Sequence, residues 1–384
     1  MRILWWSNAP WQPTGYGLQT ALFTPMIRDA DHEVALQAFS GLQGAPSSFE
    51  GMIVYPGGQE PKSLDVMEWR WRRWNADLVI TLADTWCLIP AVMRELRGKV
   101  RLACWTPVDC KPLNARDREA LEASGARPIA ISRHGERMMA QAGLDPLYVP
   151  HGVDTAVFRP LPERDWFRRE LGWGDRFVVG INAANRDHQR KGFPEQFRAF
   201  AALRKSCPDA LLSVHALGDN SSYEGLNLYR LAEACGIPGH AIQFVDPDQY
   251  LTGVIDSESM ASWYGALDVL SCCSWGEGFG IPVIEAQACG TPVVVTNASA
   301  MSELTGPGWK VDGEPFWHTF FEAWWVKPSI PDITHAFKQA VNGAAARRNA
   351  AREFAAGYDA RKVFADYWIP ALACLEAAAT GAAA

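Results

Sequence analysis

Short apolar runs alternate with longer mixed segments along the whole chain, the rhythm of strands and helices in a parallel α/β sheet. The alternation is clearest between residues 266 and 296. Residues 267–273 form a mostly apolar run of the length of a buried parallel strand. Residues 274–281 interrupt it with Gly276, Gly278 and Gly280. Pro282 stands where a first helical residue would, Gly290 where a helix would stop, and Pro292 just beyond. Residues 293–296 then read as the next buried strand. The same pattern predicts strands at residues 2–7, 33–39, 78–82, 100–105 and 128–131, and again at 177–183, 210–215 and 241–245. Between them lie helices opening near Leu18, spanning about residues 63–75, and capped by Ser132.

A chain of 384 residues suggests two such domains. Its 48% hydrophobic and 21% charged content is that of a globular protein with sizeable cores. No apolar run approaches a membrane span, and MRILWWSN enters a strand directly rather than reading as a signal peptide. The nine cysteines are scattered without a C-x-x-C pair, which suits reduced thiols in a cytoplasm better than disulfides or zinc. A net charge of −7 argues weakly against a nucleic-acid partner, and a local basic face stays open.

Chemistry enters at the glycine-rich turn. Glycines admit a ligand close to the backbone, and N–H groups at a helix start favour an anion. Glu277 and Glu285 flank that point with seven residues between them. Carboxylates do not bind phosphate; beside a phosphate cradle they accept hydrogen bonds from hydroxyls of a ribose or hexose. The plainer alternative makes Glu285 a helix-dipole partner and Glu277 a solvated charge. In the loop after the first strand, Thr14, Gly15, Tyr16 and Gly17 either approach a ligand or form a simple turn with Tyr16 as packing. In EWRWRRW the preferred reading is a helix that buries its tryptophans while its arginines reach outward. Asp246-Pro247-Asp248 is formally a D-x-D but reads as a turn, so no metal site is expected.

EGFGIPVIEAQACGTPVV resembles the signature of glycosyltransferase family 4, retaining nucleotide-sugar-dependent enzymes with the GT-B fold. The resemblance covers most of the chain and is densest over residues 176–306. It implies two doubly wound Rossmann-like domains facing a cleft: residues 1–159 on the acceptor side, residues 160–359 holding the donor, and a C-terminal helix of about residues 360–384 packing back on the first. Pro160 and Pro162 suit the linker, and His151 and Asp154 read as hinge structure.

In that pattern Glu277 contacts the donor sugar, Glu285 holds the ribose hydroxyls, and the backbone of Gly278, Phe279, Gly280 and Ile281 lies against sugar and diphosphate. Arg186 and Lys191 match paired cations that neutralise the leaving diphosphate. Backbone around Val245 recognises the base, and Met301-Ser302-Glu303 places a glutamate near the donor. Gly15, Tyr16 and Gly17 occupy the position of a ligand-facing glycine loop. Asp109 stands where the family usually has a histidine; it either bonds sugar or acceptor, even as a general base, or caps the next helix. The implied activity moves a hexose from a UDP- or GDP-hexose to an unspecified hydroxyl of a protein, glycan or modified nucleobase, without metal or other cofactor. Its GYG loop and TPVD resemble bacteriophage-encoded and bacterial members. Rival readings are a nucleotide-sugar epimerase or hydrolase on the same fold, and a non-catalytic nucleotide-sugar-binding protein. The aromatic run EPFWHTFFEAWWVKP matches nothing in the pattern.

Overall fold

The structure, a computed structural model, describes residues 1–380; the last residues of the expected C-terminal helix lie outside them. The chain forms two compact units. The first comprises residues 1–152, residues 318–323 and the segment from Ala360, and the second residues 153–317 and 324–359. The chain passes between them at Gly152 rather than near 159. Residues just after it are tied to the end of the second unit, where Val153 N donates to Tyr358 O at 2.9 Å and Thr155 donates to Asp359.

In the first unit the strands are β1 (Arg2–Asn8), β2 (Glu33–Ser40), β3 (Ser47–Phe49), β4 (Met52–Tyr55), β5 (Leu78–Leu82), β6 (Leu102–Thr106), β7 (Arg127–Ala130) and β8 (Leu147–Tyr148). They form one sheet in the order β3-β4-β2-β1-β5-β6-β7-β8, parallel except for β3. The strand order reverses between β1 and β5, which makes the ends of these two strands the switch point. The C-terminal segment, with a π-helical turn at Phe364–Trp368 and the helix Ile369–Thr380, belongs to this unit. Trp368 is fully buried against Trp105, Trp5 and Phe23, at ring-centroid distances of 4.9, 5.7 and 5.9 Å. Strand residues of β1 and β6 thus share one aromatic core with the end of the chain.

The second unit has β9 (Val178–Asn182), β10 (Leu211–His215), β11 (Ile242–Phe244), β12 (Val269–Cys272), β13 (Val293–Thr296) and β14 (Trp309–Val311). Its sheet is all parallel in the order β11-β10-β9-β12-β13-β14, reversing between β9 and β12. Helix Phe193–Arg204 and the long helix Ile330–Ala355 pack together over one face, burying Phe193, Phe197, Phe200 and Phe337. The unmatched aromatic run forms a hairpin, β15 (Gly313–His318) and β16 (Ala323–Pro328). No helix among the described residues is long and apolar enough to cross a membrane.

Local chemistry moves several expected boundaries. The first helix opens at Gly15 rather than near Leu18, because the Thr14 hydroxyl accepts from Gly17 N at 3.1 Å and caps it. The strand expected at 267–273 shortens to β12, since Leu267 serves as the preceding helix's C-cap. Asp246-Pro247-Asp248 is a helix start rather than a turn: Asp246 accepts from Gln249 N at 2.9 Å and Pro247 opens Pro247–Thr252. The EWRWRRW helix does not bury its tryptophans. In Met67–Trp74 only Met67 is buried and Trp69 is 55% exposed; Arg70 stacks on Tyr55 and Trp69, and Arg2 on Trp74. Stacking by guanidinium groups covers these rings where core packing does not.

Because Trp368 fills the centre of the first unit's aromatic cluster, Trp368→Ala is expected to lower that unit's stability by about 3–5 kcal/mol. Urea unfolding followed by tryptophan fluorescence measures it; a loss below about 1 kcal/mol would contradict the packing argument.

Candidate functional site

The second unit's switch point gathers two loops, one after β9 and one after β12. Gly192 decides how closely they approach. A Cβ there would lie 2.3 Å from Cys273 O, and its φ of +60° is left-handed. Bare backbone lets the Arg190-Lys191-Gly192 turn dock on the end of β12, where Trp275 N donates to Arg190 O at 2.7 Å.

This docking delivers two cations to Glu277. Lys191 Nζ reaches Oε1 at 2.5 Å and Arg190 Nη1 reaches Oε2 at 3.1 Å, while Ser274 Oγ donates to Oε1 at 2.8 Å. Glu277 N donates in turn to Ser299 Oγ at 3.0 Å. Burial alone would push the Glu277 carboxyl up, but the Lys191 ammonium and Arg190 guanidinium outweigh it and hold it at about 2. Glu277 is therefore a buried, permanently ionised acceptor.

Glu285 is the opposite case. Helix Ile281–Ala288 starts at Gly280, whose φ of +107° only glycine tolerates easily, with Pro282 in its first turn. Glu285 projects from it into the interior and is only 7% exposed. Its one hydrogen bond among the described residues comes from the Tyr264 hydroxyl, 2.8 Å from Oε2. Burial without a cation raises its carboxyl to about 7, and the Tyr264 bond offsets only part of that. The two carboxyls of one loop and helix are thus driven in opposite directions from the ordinary value.

The other expected residues fall as follows. Gly278 and Phe279 are buried in the loop, with Phe279 edge-on to Tyr358 at 5.8 Å; Ile281 is the first residue of the helix and half-buried. Arg186 is exposed and its side chain makes no ion pair among the described residues; it lies near enough to Tyr250 to offset part of burial's upward push on that phenol. Of the two expected cations, Lys191 is engaged by Glu277 and Arg186 faces solvent. Val245 follows β11, two strands from β9 in the sheet, where its N donates to Val214 O at 3.0 Å. Glu303 lies in the short helix Met301–Leu304.

On the first unit, Gly15 and Tyr16 open the first helix, and the Tyr16 hydroxyl donates to Asp84 Oδ1 at 3.0 Å, joining the loops after β1 and β5 at that unit's switch point. Gly17 has a packing reason to be glycine, since a Cβ would lie 2.2 Å from Gln12 O. Asp109 follows β6 and does not cap the next helix; Asn114 does, accepting from Asp117 N at 2.9 Å. His151 is buried edge-on to Trp105 at 4.7 Å, its imidazole pushed down to about 3 by burial, and Asp154 accepts from Ala156 N in a turn. Both are structural.

Sequence reasoning missed Arg190, Ser274, Tyr264 and Asn182. Arg190 had a signal in its place beside Lys191 in the same turn. Tyr264 and Asn182 had none, because only the tertiary fold brings them to Glu285.

Residues 177–322 match the family model for glycosyl transferases group 1. Among curated relatives, the D-inositol 3-phosphate glycosyltransferase of Paenarthrobacter aurescens is 35% identical over 176 residues, covering 44% of this chain and 39% of that protein. D-inositol 3-phosphate glycosyltransferase 2 of Catenulispora acidiphila is 38% identical over 222 residues, covering 55% of this chain and 50% of that protein. The chain thus spans half or less of the length of these relatives. Likeness of fold extends further. Sucrose-phosphate synthase from Thermosynechococcus elongatus superposes with a TM-score of 0.76 at 16% identity, covering 97% of this chain and 100% of that one. Anabaena HepE, solved in complex with UDP-glucose, gives 0.72 at 17% identity, again covering 97% and 100%. The fold class is that of the GT-B glycosyltransferases, with two Rossmann-like units.

The buried Glu285 has a consequence for stability. Its folded-state carboxyl lies above the ordinary value of 4.5, so the folded state binds the extra proton between about 4.5 and 7. The associated stability is full below the lower value and is lost as pH rises through about 7. Glu285→Gln is therefore expected to stabilise the protein at pH 8 relative to its effect at pH 5, by up to roughly 3 kcal/mol. Urea unfolding at the two pH values checks it; equal effects at both would mean that the group is not held protonated.

Proposed function

We propose that this chain is a retaining glycosyltransferase of family 4 that moves a hexose from a UDP- or GDP-hexose to an acceptor hydroxyl. The observation that carries the reading is the pair of buried carboxyls, Glu277 and Glu285, one held by two cations and one by a phenol, around a helix start at the second unit's switch point. The ionised Glu277 accepts hydrogen bonds from hydroxyls of the transferred sugar, and Glu285 accepts from the ribose. N–H groups at the start of helix Ile281–Ala288 and the backbone of Gly278, Phe279 and Gly280 face the diphosphate. Arg186 and Lys191 take up the negative charge that grows on the leaving diphosphate. Backbone near Val245 meets the base. The first unit supplies the acceptor side with Asp109, and its Gly15-Tyr16-Gly17 turn is assigned to donor binding. Scattered free cysteines accord with a reducing, cytoplasmic setting.

Similar proteins support a nucleotide-sugar donor: HepE was solved with UDP-glucose, and a Mycolicibacterium smegmatis mannosyltransferase 34% identical over 169 residues is GDP-mannose-dependent.

Glu277 is engaged by Lys191, Arg190 and Ser274, which leaves it ill-placed to serve as a covalent nucleophile. The step we favour is attack from the face the diphosphate leaves. The bond from anomeric carbon to phosphate oxygen breaks, the acceptor oxygen bonds that carbon, and the acceptor's proton passes to the departing phosphate. Lys191 and Arg186 hold that phosphate where it receives the proton.

An α-linked donor is then expected to give an α-linked product, read from the anomeric proton coupling in early NMR spectra. Asp109→Asn is expected to slow the reaction without changing the linkage. A β-linked product would overturn both mechanism and family. Parallel incubations without acceptor separate transfer from hydrolysis or epimerisation.

Charge neutralisation by Lys191, Arg186 and helix N–H groups also implies turnover without a divalent cation. Activity is expected to persist in excess EDTA; complete loss, restored by manganese, would refute this.

A further inference from the structure

Asn182 ends β9, and its Nδ2 donates to the Tyr264 hydroxyl oxygen at 2.7 Å. With that oxygen accepting, the phenolic proton is directed to Glu285 Oε2, 2.8 Å away. The chain of bonds has one direction, from Asn182 through Tyr264 to Glu285. Tyr264 is itself immobile: its ring is fully buried between Phe158 and Trp263, and Thr291 Oγ1 donates to its carbonyl at 2.7 Å. Glu285 Oε1 takes no hydrogen bond from any described residue.

We propose that Tyr264 is a positioning residue for the donor: held by Asn182, it keeps Glu285 an oriented carboxylate with Oε1 left for the nucleotide, so that donor affinity follows the loss of one proton. This rests on the reading of Glu285 as the ribose contact. A protonated carboxyl has one fewer acceptor position for ribose hydroxyls, and a hydroxyl donor on Oε2 favours the ionised form.

Few other groups can compete for that proton. Helix Ser257–Ala266 places Tyr264 against Glu285 and carries Glu258 in its first turn. Cys289, at the C-terminus of Glu285's own helix, is pushed far up by burial, then by Glu285 itself, and stays neutral. Helix Ile330–Ala355 contributes Arg348, which acts on Cys289. Met301–Leu304, also packed there, carries Glu303. Strands β12 and β13, also packed on the helix of Glu285, carry no carboxylate or cation, and burial pushes the Cys272 thiol up.

The test is calorimetric titration with UDP-glucose and GDP-mannose from pH 6 to 8.5, a range in which their diphosphate diesters do not titrate. Affinity of the unaltered protein is expected to rise with pH through about 7, where the Glu285 carboxyl is held. Tyr264→Phe removes one hydrogen bond to a charged group and moves that midpoint up by about one pH unit. Affinity then falls about fivefold at pH 7 yet lies within about twofold of the unaltered protein at pH 8.5. Asn182→Ala, one bond further back, is expected to shift the profile in the same direction by less, and serves if Tyr264→Phe does not fold. Glu285→Gln gives a flat profile. A loss of equal size at every pH, or no loss, would overturn the proposal and leave the donor reading intact. No binding of either nucleotide sugar by the unaltered protein would overturn the donor reading as well.

Discussion

A buried charge governs the second unit's architecture. Glu277 is almost out of water, and an isolated carboxylate in that position would take up a proton or pull the loop back to solvent. It stays ionised because Lys191 and Arg190 meet it from the turn after β9. That meeting needs the turn to lie on the end of β12 with almost no clearance, which Gly192 permits. Charge pairing and backbone approach thus depend on each other. The loops that flank the switch point are locked together across two strands that are adjacent in space and about 90 residues apart in sequence.

Locking has a chemical corollary. On the proposed function, Lys191 is already engaged when a diphosphate arrives, so it would not act there as a free cation. Either it keeps its bond to Glu277 and contributes charge from there, or it exchanges one anion for another while Arg190 retains Glu277. The second cation on the carboxylate makes such an exchange inexpensive, because Glu277 would not be left buried and alone. Arg190 therefore matters through what it allows its neighbour to do.

Much of this was legible in the sequence. Strand, glycine turn, helix and strand around Glu277 and Glu285 could be read from apolar runs and from Gly280, Pro282 and Gly290, because local rules decide them. The strands of both units followed from the same alternation, while their doubly wound arrangement was implied by the family resemblance. The partners of the two carboxyls were not legible. Tyr264 lies 21 residues before Glu285, and Arg190 87 residues before Glu277, and no periodicity links such positions. The tryptophans of Met67–Trp74 misled for a related reason: helical spacing says which residues share a face, but not whether a core or a row of guanidinium groups covers it.

The aromatic cluster around Trp368 bears on how the chain acquires its shape during synthesis. The side chain that completes the core around β1 lies more than 360 residues after Trp5 in the chain. Until it is made, Trp5, Phe23 and Trp105 lack the ring they pack against in the folded unit. The second unit, whose strands and helices run from residue 153 to 359 with only the hairpin tip assigned elsewhere, meets no such delay. Completion of the first unit's aromatic core therefore has to follow synthesis of the strands and helices of the second.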